Sequence, residues 1–185
     1  MKNFRPLAIL TLFFLSTSMS SKAQNDFCSN LNKVKALMES GFSSVKGKKL
    51  TEGTTNYGTM EITKRMWVSS FQFPESISAN VTEILKVAPD PKNAGHNVYI
   101  TFNFANSATR AVVEAIYNKF REFMKQCVPA NWKAQERSGT TYSRYYVMDG
   151  SYYDEAPHKI TLQFNKLEGA GDKYTADLIF DSAIK

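Results

Sequence analysis

The chain has 185 residues, 43% of them hydrophobic, and a formal charge of +6. That length fits one domain with a sizeable core. The charge is too mild to mark a nucleic-acid binder. No stretch after residue 23 is long and apolar enough to span a bilayer, so no transmembrane segment is expected.

The first 23 residues read as a secretory signal peptide. Lys2 and Arg5 make a short positive region, Leu7 to Leu15 is an apolar run, and Ser21-Lys22-Ala23 places small residues before a cut between Ala23 and Gln24. A lipid anchor on Cys28 is not expected, because Asn25-Asp26-Phe27 before it is bulky and acidic. Removing residues 1–23 deletes Lys2, Arg5 and Lys22 and no acid, which lowers the charge to about +3. The expected product is one α+β domain over residues 24–185, in the periplasm or outside the cell.

Residues 26–40 place Phe27, Leu31, Val34 and Met38 on one helical face, and Gly41 follows as a stop. "GFSSVKGKK" (41–49) resembles a phosphate loop but fails it. Five residues separate Gly41 from Gly47, and Lys49 stands where a hydroxyl is required. The expected structure there is a solvated basic loop.

Strands are expected at 57–63, 65–73, 80–87 and 97–104, with a turn at 89–95. Residues 107–127 place Val112, Ile116, Phe120, Phe123 and Cys127 on one face of a second helix, with Ser107 as N-cap and Pro129 beyond its end. Further strands are expected at 141–148, 158–164 and 173–181. Asp149-Gly150 is read as a tight turn, 168–172 as another, and Pro157 as a strand start.

The order predicts an α+β fold, α-β(3-4)-α-β(3): a curved antiparallel sheet of about six to seven strands packed against two amphipathic helices. No internal repeat is visible. Cys28 and Cys127 are the only cysteines. In an exported chain they are expected to pair, which requires the two helices to lie antiparallel.

Chemistry is sparse. There is no G-x-S-x-G elbow, and the one His/carboxylate grouping close in sequence, Asp154, Glu155 and His158, reads as a solvated loop rather than as a metal site, so no catalytic residue, metal or cofactor is assigned. His158 with Asp154 or Glu155 is one weak hydrolytic arrangement. Tyr142, Tyr145, Tyr146, Tyr152 and Tyr153 crowd one hairpin, where tyrosine suits contact with a peptide or glycan. Alternation is expected to expose Tyr145 opposite Tyr142 and Tyr146. Trp132 is expected to pack beside the end of the second helix. Asn80-Val81-Thr82 fits N-glycosylation, which the bacterial layout of the leader discounts. Asp181-Ser182-Ala183 is similar to an O-glycosylation acceptor of some bacterial periplasms. The expected function is non-catalytic binding in the bacterial cell envelope, to an envelope protein, peptide or glycan. The alternatives are an inhibitor or immunity protein against an envelope-active toxin or hydrolase, or a small hydrolase.

Overall fold

The computed structural model describes residues 7–150 and 156–184, and side chains from Lys22 onward. Two helices lie on one face of an eight-stranded antiparallel sheet. Helix α1 spans Leu7–Ala36. It is followed by strands β1 (Lys46–Tyr57), β2 (Met60–Ser69), β3 (Ser78–Val87) and β4 (Gly95–Ala108). Helix α2 (Arg110–Cys127) is followed by β5 (Lys133–Ser138), β6 (Tyr142–Met148), β7 (His158–Lys166) and β8 (Tyr174–Ile184). The strand order is β1-β2-β3-β4-β8-β7-β6-β5. A helix followed by a four-strand meander thus occurs twice, and the two meanders join where β4 pairs with β8.

The α+β class and the two covering helices match the sequence expectation. The strand count is higher. The two unforeseen strands, β1 and β5, are the sheet edges, and nearly every residue in them is exposed. An edge strand with no buried face has no apolar alternation to read; its backbone pairing carries it. The basic loop expected at 41–49 is therefore a short 3₁₀ turn (Ser43–Val45) leading into β1. The strands expected on either side of Lys64 are one strand, β2, and the turn falls at Gly58-Thr59.

In α1, Phe27, Leu31, Val34 and Met38 are all buried, as the spacing predicts. The point between Ala23 and Gln24 lies inside this helix. Gly41 ends the winding with φ +57°, and a Cβ there would stand 2.9 Å from Ile184 Cδ1. In α2 the buried face is Val113, Tyr117, Phe120 and Met124, while Val112 is exposed. The expected face is displaced by one residue at its start, from Val112 to Val113, and the helix begins later than Ser107. That residue sits at φ +57° and the N-cap is Thr109.

Phe27 packs against Phe73, Phe120 and Phe123, with ring centroids 5.2–5.5 Å apart. A cleft of about 150 Å³ opens beside this cluster. Cys28 and Cys127 form the disulfide, with Cα atoms 5.1 Å apart, and no described cysteine is free. Trp132 is partly buried against the core, with the Lys35 ammonium 5.6 Å from its ring. Glu136 on β5 accepts hydrogen bonds from Tyr117 Oη and Arg121 Nη1, each 2.9 Å, which pins that edge strand to α2. Among the described residues no helix is long and apolar enough to cross a membrane.

Candidate functional site

Strand alternation gives the sheet two chemically distinct faces. On the helix side, Val81, Ile100, Phe180, Ile160 and Val147 form one register row across β3, β4, β8, β7 and β6, and all are buried. Among the described residues the opposite face carries no helix. Its equivalent rows are polar in the middle of the sheet.

One such row runs Ser78–Asn103–Asp177–Gln163–Arg144–Arg137 across six strands. Asp177 accepts from Asn103 Nδ2 at 2.8 Å and from Thr175 Oγ1 at 2.6 Å. Arg144 Nη2 donates to Asn165 Oδ1 at 3.3 Å, and its guanidinium lies 5.2 Å from the centre of the Tyr142 ring. A second row carries Thr82, Tyr99, Asp181, Lys159 and Met148. Lys159 Nζ stands 3.4 Å from Asp181 Oδ2. Burial pushes the Asp181 carboxyl above its ordinary value, against the opposing pull of Lys159 and Asn97. Towards β1 the same face turns apolar. Tyr57, Ile62, Met66, Val68 and Ile84 lie on it, with Lys64 and Lys86 between them. Tyr57 and Val68 are exposed.

The tyrosine hairpin is not one surface. Tyr145 is only 7% exposed and sits on the helix side within the main core. Alternation does separate it from Tyr142 and Tyr146, but the face it turns to is the one under α2. Tyr146 lies on the helix-free face and is equally buried, in a small cluster with Met148 and Ala156. Tyr142 is half-buried beside Arg144. Tyr152, Tyr153, Asp154 and Glu155 lie outside the described residues. The strands flanking Asp149-Gly150 are joined by the longer connection 149–157, closed by Asp149 N–H donating to the His158 carbonyl at 3.2 Å.

His158 has a partner that the sequence did not suggest. Its Nδ1 is 3.3 Å from Ser182 Oγ, beside an open depression that Glu39, Pro157 and Ile184 also line. Ser182 is fully buried and donates its hydroxyl proton to the Met38 carbonyl at 2.7 Å. Its oxygen can therefore only accept from His158, the reverse of what an activated nucleophile needs. The bond to Met38 ties β8 to the turn that follows α1. The same burial takes the Asp181-Ser182-Ala183 hydroxyl out of reach of a glycosylating enzyme.

A second unforeseen cluster surrounds Glu83 on the helix side, among Lys46, Arg65 and His96. Its carboxylate lies 2.7 Å from His96 Nε2, 3.5 Å from Lys46 Nζ and 3.7 Å from Arg65 Nη1. Partial burial raises the carboxyl, but His96 and Lys46 outweigh it and hold Glu83 below its ordinary value. Lys46 also lies 4.3 Å from the centre of the Trp67 ring. These contacts come from strands distant in sequence, so no motif announces them.

Among the described residues no group of three His, Cys, Asp or Glu side chains could hold a metal ion. No family model, curated protein or solved structure matches the chain.

Proposed function

We propose that the chain is an exported, non-catalytic binding protein of the bacterial cell envelope. Its helix-free sheet face receives a folded protein partner. The carrying observation is that face: over β1 to β3 it presents exposed Tyr57 and Val68 beside half-buried Ile62, Met66 and Ile84, and it is polar across β4 and β8. Tyr146, Met148, Lys159, Thr161 and Asp181 on the β6 to β8 part of the face are buried, so the open part of it lies over β1 to β4. Lys64 and Lys86 suit a partner with acidic groups at its rim. The disulfide fits an oxidising compartment, which supports the reading of residues 1–23 as an export signal.

A photo-crosslinking residue at Val68, introduced into the native host, is expected to give one discrete adduct. The same residue at Glu122, exposed on α2, is expected to give none. The same adduct from both positions, or none from Val68, would sink the assignment. An inhibitor or immunity protein would use the same face; its adduct would be a toxin or hydrolase whose activity the purified chain suppresses.

A further inference from the structure

We propose that Arg137 and Arg144 form an oxyanion site on the helix-free face, matched to a carboxylate. The two residues are direct register partners on β5 and β6. Their neighbours fix the direction in which they point. Glu136 reaches Tyr117 and Arg121 on α2, and Tyr145 lies in the core, so Arg137 and Arg144 occupy the opposite face. Directly opposed residues have Cβ atoms about 5 Å apart, and like charges so placed repel.

Among the described residues no carboxylate on that face pairs with either guanidinium; that of Arg144 lies over the Tyr142 ring. Asp177 shares the row but stands two strands from Arg144, and Asn103 and Thr175 each hold one of its oxygens. Among the described residues the Arg137 side chain makes no hydrogen bond or ion pair. Arg144 uses Nη2 on Asn165, while its Nε is buried and has no hydrogen-bond partner. An arginine donor shut away and unused is a group that gains by turning towards an acceptor.

The chemistry of the ligand follows from the donors. A guanidinium presents parallel N–H groups in a plane, which a carboxylate meets with two oxygens at once. Gln163, beside Arg144 in the row, adds an amide donor. Lys133, on the same face of β5, adds a positive field. Such an oxyanion can be a small free ion or a carboxylate carried on an acidic chain. The site stands independently of the protein-partner reading.

The test is a titration of the Arg144 Nε–Hε NMR signal at constant ionic strength. The probes are acetate, inorganic phosphate and a short poly-glutamate peptide. A saturable shift is expected, weakened roughly tenfold or more in Arg137→Gln by loss of a charge-assisted hydrogen bond. Arg137 is exposed, so that variant keeps the fold, and Lys64→Gln on the same face is expected to retain full affinity. Saturation by acetate and phosphate alike supports a free oxyanion. Saturation by poly-glutamate at far lower concentration supports a chain-borne carboxylate. No shift with any probe, or undiminished affinity in Arg137→Gln, overturns the site. Val68→Glu separates the two proposals, because it abolishes partner docking and leaves the anion titration unchanged.

Discussion

Cys28 and Cys127 join the two helices through a disulfide that closes a separation of 99 residues. Half of the sheet, β1 to β4, lies inside that loop. The bond therefore fixes how the start of the buried part of the first helix meets the end of the second.

Reducing the bond, or replacing both cysteines by alanine, is expected to lower unfolding free energy by about 4–5 kcal/mol. Denaturant titration with and without reductant measures it. An unchanged midpoint would mean that the unfolded chain is already compact.

Tyr145→Ser is expected to destabilise the fold by about 3 kcal/mol, since the ring is buried under α2. Thermal unfolding checks it. Any loss of binding in this variant would report misfolding and not a lost contact. Tyr142, half-buried beside Arg144, is the tyrosine whose replacement tests recognition.

Ser182→Ala removes the hydroxyl that satisfies the Met38 carbonyl. It is expected to cost about 1–2 kcal/mol, read by chemical denaturation. Intact mass of the native protein is expected to show no sugar on Ser182, because its side chain is buried inside the sheet.

Glu83 governs part of the response to acid. Its carboxyl is lowered in the folded state from an ordinary 4.5, so its stabilising contribution is complete above that value. The contribution is lost as pH falls through the lower folded value. Glu83→Gln is expected to be less stable than the parent at pH 7, with the gap narrowing below about pH 4.5. Unfolding curves at pH 7 and pH 3 give the comparison. An equal gap at both would mean that the substitution costs packing and not charge pairing.

The local periodicities were legible in the sequence. Phe27, Leu31, Val34 and Met38 announce the buried face of α1, and Val98, Ile100, Phe102 and Phe104 that of β4, because burial on one side leaves a 3.6- or 2-residue period in the chain. Export chemistry and the even cysteine count likewise favoured Cys28–Cys127, which the fold brings together. Tertiary structure decided the rest. Only the sheet order puts β1 and β5 at the edges, where backbone pairing needs no apolar pattern. Only the helix positions decide that Tyr145 faces a core while Arg144 beside it does not. Arg137 and Arg144, the cluster around Glu83, and the Ser182–His158 contact are all made across strands. The chain specifies which side of a strand is apolar; which neighbour meets it depends on register, and register belongs to the folded sheet.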